Sequence, residues 1–243
     1  MSFTYFPGTN VIGQVQGGGI DGGDSASWNG IYNYLTDGKG VDMTYFEVGF
    51  GAYVRHPDPD PVTDTFEAYY KSPWDGNFTR DQMTGTVAGL GAQKNYGALI
   101  RLGLHWSLRG FLLAYNNREN GVDPAKGPWR FPDLTLLDMW ALYIRMFPIA
   151  FLFRGVLNIL DVMVLINTFI VTHITKEDEH VLNFLIKVIT SVDRTKTLTS
   201  YLTSKIIDRE QMDKALTKYW CNWRRNCGFV NLYRAKMKKV GIV

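Results

Sequence analysis

Cysteine is nearly absent from this chain of 243 residues. Only Cys221 and Cys227 occur, six positions apart. Two cysteines cannot supply the four ligands of a structural zinc site, and a bridge between them would close only a very short loop. The sequence therefore predicts reduced thiols, as is usual for a protein made in the cytoplasm. The first ten residues, MSFTYFPGTN, also lack the basic and apolar regions of a secretion signal, so no signal peptide is predicted.

An uninterrupted apolar run of membrane length is also lacking. The most apolar stretch, 146–171, is long enough to span a bilayer, but Arg154 and Asp161 interrupt it. A charged side chain at the bilayer centre costs about 2.5 to 3.5 kcal/mol. The sequence therefore predicts no membrane span, but a buried helix over 149–173 in which Asp161 is hydrogen-bonded or paired.

Glycine is scarce in the second half of the chain, since 21 of the 24 glycines lie at or before Gly127. The length suits one sizeable domain, so we predict a single domain over 1–243. Its predicted parts are a glycine-rich half (1–132), a helical half (133–204) and a basic, aromatic C-terminal segment (205–243). Loops rich in glycine or proline are predicted at 12–24, 55–64 and 116–133.

Apolar residues recur at helical spacing in two places, Trp28, Ile31, Tyr32 and Leu35, and again Met83, Val87 and Leu90. Further helices are predicted over 96–115, 133–147, 149–173, 178–190 and 197–225, with a break near Asp208. Seven or eight helices joined by long loops predict a mainly α fold, either layered or a partial α/α-toroid. Strand-like residues within 45–54 predict a small β-hairpin.

The stretch GNFTRDQMTG (76–85) has the pattern of a helix start. With Thr79 as N-cap, Gln82 occupies the position that completes a capping box. Asp81 in the first turn suits the positive end of the helix dipole, whereas Arg80 opposes it. We therefore hypothesise that Arg80 points to an acidic partner, with Asp24 or Asp58 favoured.

Two other segments place polar side chains on short loops. GGDSASW (22–28) offers Asp24 or Ser25 as a helix N-cap, with glycines that would let a ligand approach the helix end. YVRHPDPD (53–60) combines His56 with Asp58, which could serve in proton transfer or bind a metal, although a solvated, proline-stiffened loop is the favoured interpretation. No metal site and no cofactor are predicted. If the chain is an enzyme, the candidate catalytic residues are Asp24, His56, Asp58, Arg80 and Asp81.

Positive charge is concentrated at the C-terminus, where ten Lys or Arg face three Asp or Glu from Lys205 onwards. Aromatic residues alternate with these cations, a composition that binds either an acidic protein neighbour or a nucleic-acid strand. Without a recognisable nucleic-acid-binding pattern, the protein neighbour is favoured. The candidate binding residues are Arg55, Arg80, Gln82, Trp220, Trp223, Arg224, Arg225 and Tyr233.

Several segments occur in a fixed order: GGDSASWNGIY, GAYVRHPDPDP, GNFTRDQMTGTVAGL, LDVMVLINTFI and FVNLYR. In this they resemble an uncharacterised family of helical proteins seen in bacteria and in phage genomes. The Arg-Asp-Gln segment also resembles helix starts in α/α-toroid enzymes that act on polysaccharides. That second resemblance implies a funnel on which six side chains converge, namely Asp24, Arg55, His56, Arg80, Asp81 and Gln82.

Two functions follow from the sequence. The favoured one is a non-catalytic structural component of a phage particle or similar multi-protein assembly, located in the virion. Its loops and C-terminal segment would bind protein neighbours, including copies of the same chain. The alternative is a polysaccharide-active enzyme, a glycoside hydrolase or a lyase, or a glycan-binding relative of the toroid enzymes.

Overall fold

The computed structural model of the chain describes residues 2–16, 19–57, 78, 80–108, 113–114, 129–130, 143, 152, 159, 209–223 and 227–239. The chain divides into two compact units, Met1–Asp133 and Leu134–Val243. This division falls beside the predicted border between the parts 1–132 and 133–204. A single domain over 1–243 stays a prediction, and each unit is described by itself.

A three-stranded antiparallel sheet begins the N-terminal unit. Its strands, in spatial order, are β1 (Ser2–Tyr5), β2 (Ile12–Gln16) and β3 (Gly19–Asp21). Phe6 closes the turn between β1 and β2, because its N–H donates to the carbonyl oxygen of Val11 over 2.9 Å. The predicted flexible loop over 12–24 is therefore wrong, since most of that segment is the paired strands β2 and β3.

Helix α1 (Ser25–Leu35) is buried on nearly all sides. Polar side chains can occupy such a helix only when each finds a partner. Asn29 does so by holding β2: its Oδ1 accepts from the N–H of Ile12, and its Nδ2 donates to the carbonyl oxygen of Ile12, both at 3.0 Å. One turn later, Asn33 donates to the carbonyl oxygen of Val41 over 2.7 Å. The two asparagines thus attach strand β2 and the segment around Val41 to the same helix.

Helix α2 (Arg80–Ala92) packs very closely on α1. The approach depends on glycine, because a Cβ on Gly30 would overlap the carbonyl oxygen of Gly85. A Cβ on Gly89 would likewise lie 2.7 Å from the Cα of Gly30. Backbone therefore meets backbone at this crossing, and it brings the start of α2 beside the start of α1.

A hairpin of β4 (Glu47–Gly49) and β5 (Ala52–Tyr53) follows a 3-10 turn over Met43–Phe46, and it packs on helix α3 (Tyr96–Ser107). Gly51 at the tip has φ +68°, a conformation that favours glycine, and a Cβ there would overlap the carbonyl oxygen of Arg101. This pair of strands confirms the predicted β-hairpin within 45–54.

The described part of the C-terminal unit is a helical pair. Helix α4 (Arg209–Thr217) continues as a π-helical segment (Lys218–Trp223), and helix α5 (Cys227–Lys239) follows. Buried apolar side chains join them, namely Leu216, Trp220, Phe229, Val230, Tyr233 and Met237. At the surface, Arg234 of α5 forms a two-fold hydrogen-bonded ion pair with Asp213 of α4, at 2.7 and 2.8 Å.

The predicted helices have mixed outcomes. The helices predicted around Trp28 and around Met83 are confirmed as α1 and α2. The helix predicted over 96–115 ends at Ser107, and Leu113–Ala114 instead forms β6, which pairs antiparallel with β7 (Trp129–Arg130). The helices predicted over 133–147, 149–173 and 178–190, and the environment of Asp161, lie outside the described residues.

The fold-class prediction is wrong. Small antiparallel sheets accompany the helices, so the described chain is neither all-α nor seven or eight helices in a layered or partial toroidal arrangement. The physical reason is at the N-terminus, where β2 has a strand on each side and its backbone groups are satisfied by pairing. None of the helices in the described ranges is long and apolar enough to cross a membrane.

Candidate functional site

Three of the predicted polar residues, Asp24, Arg55 and Gln82, meet at the start of α1. The carbonyl oxygen of Gly23 accepts hydrogen bonds from Nη1 of Arg55, at 2.9 Å, and from Nε2 of Gln82, at 3.2 Å. The same Gln82 nitrogen donates to Oδ1 of Asp24 over 2.9 Å. Residues from three separate segments are therefore joined around one peptide group.

Asp24 occupies the N-cap position of α1, but its side chain makes no cap hydrogen bond there. The carboxylate instead accepts from Gln82, and Nη1 of Arg55 lies 3.9 Å from Oδ1. Ser25 does not cap the helix either, because its hydroxyl donates to the carbonyl oxygen of Ile12 over 2.8 Å. Both polar side chains of this turn thus make tertiary hydrogen bonds in place of the predicted caps.

The backbone of the Arg-His-Pro loop is also tied to α1. The N–H of Ala26 donates to the carbonyl oxygen of Arg55 over 2.9 Å, which satisfies one of the free donors at the helix start. This bond and the guanidinium contact with Gly23 fix Arg55 from both ends. A polar side chain held in this way is pre-positioned, and the position it holds is against the protein's own backbone.

His56 lies inside the N-terminal unit, with only 2% of its surface exposed. Its ring is 4.4 Å from the ring of Phe6, centroid to centroid, and 5.8 Å from that of Tyr45. The backbone of Gly22 covers it on a further side, since a Cβ added to Gly22 would lie 2.9 Å from Cβ of His56. A large substrate could not reach this imidazole without moving the surrounding residues.

The remaining predicted residues of this site are less defined. Asp58 and Thr79 lie outside the described residues, and the structure describes Arg80 and Asp81 by their backbone alone, as the first residues of α2. The capping box and the hypothesised partner of Arg80 therefore stay predictions. The cation that the structure does place near Asp24 is Arg55.

A second polar cluster has no counterpart in the sequence-based predictions. Glu47 and Arg101 form a two-fold ion pair between the β4–β5 hairpin and α3, at 2.7 and 2.6 Å. The N–H of Gly51 also donates to Glu47, over 2.9 Å. The two charged residues are 54 positions apart, so no local pattern links them.

Titration in this cluster is dominated by burial and by the ion pair. Burial acts to raise the pKa of Glu47, but the hydrogen bonds from Arg101 and from the N–H of Gly51 outweigh it, so this pKa lies below its ordinary value. Burial, and secondly the nearby charge of Glu47, raise the pKa of Tyr53 well above its ordinary value. Glu47 is thus held as a carboxylate and Tyr53 as a neutral phenol.

The predicted binding residues of the C-terminal segment are divided between core and surface. Trp220 and Tyr233 are fully buried, and Trp220 stacks on Phe229 with ring centroids 4.4 Å apart. These rings stabilise the helical pair, and a partner would meet the exposed cations in their place. Trp223 is described by its backbone alone, and Arg224 and Arg225 lie outside the described residues.

Cys221 and Cys227 form a disulfide, which differs from the prediction of reduced thiols. The π-helical segment and the start of α5 bring the two Cα atoms to 4.5 Å, a separation that a disulfide can span. Metal ligation has no support here, since the described residues contain no group of three or more His, Cys, Asp or Glu side chains that could hold an ion.

Similarity to known proteins gives no assignment. Comparison with known protein families, with curated proteins and with solved structures finds no match for this chain. The two resemblances noted in the sequence therefore stay expectations, and a function has to be inferred from the geometry of the described residues.

Proposed function

We propose that this protein is a non-catalytic structural component of a multi-protein assembly, with a phage particle as the favoured case. The observation that carries the proposal is the hydrogen bonding around Gly23. There, the polar side chains that the sequence offers for catalysis or binding hold the protein's own backbone in place.

A catalytic carboxylate needs access to substrate and freedom to exchange a proton. Oδ1 of Asp24 instead accepts from Gln82 at 2.9 Å and lies 3.9 Å from the guanidinium of Arg55. These two contacts suit the Asp24 carboxylate to holding α1, α2 and the Arg-His-Pro loop together. A structural role accounts for each of these contacts.

His56 supports the same conclusion by a different route. A general base must come within hydrogen-bond distance of the proton that it removes. The imidazole of His56 is enclosed by aromatic rings and the backbone of Gly22, with 2% of its surface exposed. Its packing is that of a core residue, and the polysaccharide-active alternative has also lost its structural basis because the toroidal fold is wrong.

The surface of the N-terminal unit supports contacts with protein neighbours. On α3, Ile100 and Leu104 are exposed one turn apart on the same face, and the exposed Leu108 follows as the C-cap residue of the helix. At the tip of the β4–β5 hairpin, Phe50 is 64% exposed. Exposed apolar side chains grouped on one element are typical of surfaces that a neighbour covers in an assembly.

The helical pair of the C-terminal unit carries more positive than negative charge. Its described ranges, 209–223 and 227–239, contain seven Lys or Arg residues and two acidic residues. Both acidic residues are already paired, Glu210 with Lys214 and Asp213 with Arg234. Lys236 is buried, but the exposed cations Lys218, Lys238 and Lys239 suit an acidic protein surface, which they would attract over a range limited by salt.

Quantitative mass spectrometry of purified particles tests the proposal. The chain should co-purify with the particles at a constant ratio to the other components, through gradients and high-salt washes. The Phe50→Ser plus Leu104→Ser double variant should be depleted from particles, whereas Lys39→Ser, an exposed change elsewhere in the same unit, should be incorporated normally.

The isolated protein should also be assayed for enzyme activity. The isolated protein should release no reducing sugar from a panel of bacterial surface polysaccharides. Absence of the chain from particles, together with measurable sugar release, would overturn the structural role and favour the enzyme.

A further inference from the structure

The disulfide of the C-terminal unit joins two helices at one end. Cys221 lies in the π-helical segment and Cys227 is the first residue of α5. The two residues also differ in exposure, because Cys227 is exposed and Cys221 is half-buried. A reagent in solution can therefore approach the bridge from the Cys227 side.

Two other links hold the same pair of helices. Trp220 and Phe229, which lie close to the two cysteines in sequence, stack on each other in the buried interior. Further along, Arg234 pairs with Asp213 across α5 and α4. Opening the bridge would leave both links in place, so the helical pair should survive its loss.

We propose that the Cys221–Cys227 bridge is a reversible thiol–disulfide exchange site for a dithiol reductant. Its opening releases the start of α5 from the π-helical segment, while the buried packing keeps α4 and α5 together. The proposal does not depend on the assembly role, since it concerns the state of one covalent bond in the isolated chain.

The exchange follows ordinary thiol chemistry. A thiolate of the dithiol attacks Sγ of Cys227, the sulfur–sulfur bond breaks, and Cys221 leaves as a thiolate that takes a proton from water. The second thiolate of the reagent then attacks the reagent sulfur that is bonded to Sγ of Cys227. This step releases Cys227 as a thiolate, which takes a proton from water. The bridge gains two electrons and two protons, and the dithiol becomes a cyclic disulfide.

The consequence concerns local order. A π-helical segment is rare and often occurs at functional positions of a helix. Here the π-helical segment contains Cys221, so the bridge links it covalently to the first residue of α5. With the bridge open, the segment Lys218–Trp223 and the first turn of α5 lose a covalent constraint, whereas α1 and α2 of the other unit are not affected.

Intact mass and amide hydrogen exchange of the full chain test this inference. The oxidised protein should gain the mass of two hydrogens on treatment with dithiothreitol under native conditions, and lose it again with oxidised glutathione. Amide exchange should rise several-fold in Lys218–Trp223 and at the start of α5. Exchange in α1 and α2 should stay unchanged as an internal control.

Single variants test the order of attack. The thiol left in Cys221→Ser is the exposed Cys227, and it should be alkylated by iodoacetamide several-fold faster than the thiol left in Cys227→Ser. A bridge that opens only in denaturant would overturn the proposal. So would thiols that stay free in oxidised glutathione, or equal alkylation of the two variants.

Discussion

The side-chain amide of Gln82 donates a 2.9 Å hydrogen bond to the carboxylate of Asp24, across 58 positions of sequence. The same nitrogen donates to the carbonyl oxygen of Gly23. Gln82 is fully buried, so these bonds replace the hydrogen bonds to water that a solvent-exposed amide would make. One side chain of α2 thereby fixes the beginning of α1.

Replacing Gln82 by Ala should destabilise the N-terminal unit by about 1 to 3 kcal/mol, because the partly buried carbonyl of Gly23 and the carboxylate of Asp24 lose a donor. Gln82→Glu should cost more, since it places a second carboxylate beside Asp24. Urea unfolding of both variants measures the difference, with the exposed Lys39→Ala as control. Equal stability of Gln82→Ala and the parent protein would show that the bond contributes nothing.

Gly30 and Gly97 give opposite expectations for the same substitution. Gly30→Ala should destabilise by about 1 to 3 kcal/mol or more, because the new methyl group overlaps the backbone of Gly85. Gly97→Ala should stabilise by roughly 0.5 to 1 kcal/mol, because nothing lies closer than 3.6 Å to its added Cβ and Ala is the better helix former. The melting temperatures of the two variants should therefore move in opposite directions. An unchanged or raised melting temperature of Gly30→Ala would contradict the close crossing of α1 and α2.

Asn29 ties strand β2 to helix α1, and replacing it by aspartate should lower the stability of the fold. Asn29→Asp keeps an acceptor for the N–H of Ile12 but puts a negative charge against the carbonyl oxygens of Ile12 and Ser25. We expect a cost of about 2 to 4 kcal/mol at neutral pH from these unmatched buried groups. The exposed Asn10→Asp is the matched control in denaturant titrations, and it should change stability little.

The Glu47–Arg101 pair predicts a pH dependence. The pKa of Glu47 is lower in the folded protein than its ordinary value of 4.5, so the pair stabilises the fold above that pH. This contribution should be lost as the pH falls through 4.5 and then through the lower pKa of the folded state. The melting temperature of Glu47→Gln should therefore approach that of the parent protein in acid, and a constant difference from neutral to acid pH would contradict the assigned pair.

The positions of helices α1 and α2 were the most predictable features of the fold. The apolar spacing from Trp28 to Leu35 and from Met83 to Leu90 located α1 and α2, because an amphipathic or buried helix repeats its apolar residues at a fixed interval. The strands β2 and β3 were missed. Gln14 is buried within β2, and the glycines of the segment imply a loop by composition, so neither alternation nor propensity marks these strands.

The candidate site was predictable only in part. The sequence identified Asp24, Arg55, His56 and Gln82 as polar residues near helix starts or on a short loop, but it did not indicate that they satisfy the protein's own backbone. Asp24 occupies the predicted N-cap position, but neither its side chain nor that of Ser25 makes the local cap hydrogen bond, because tertiary partners compete with local ones. The pairing of Glu47 with Arg101 depends on how a hairpin meets a distant helix, and no short-range pattern encodes it.

The burial of α1 has a consequence for synthesis on the ribosome. Helix α1 ends at Leu35, but the backbone that covers its glycine face belongs to α2, which is complete only at Ala92. At about 5 to 20 residues per second, translation of the intervening stretch takes roughly 3 to 11 s. During that interval the nascent chain exposes Gly30 and the apolar residues around it. The close packing of α1 on α2 can therefore be completed only after Ala92 has been synthesised, several seconds after α1 itself.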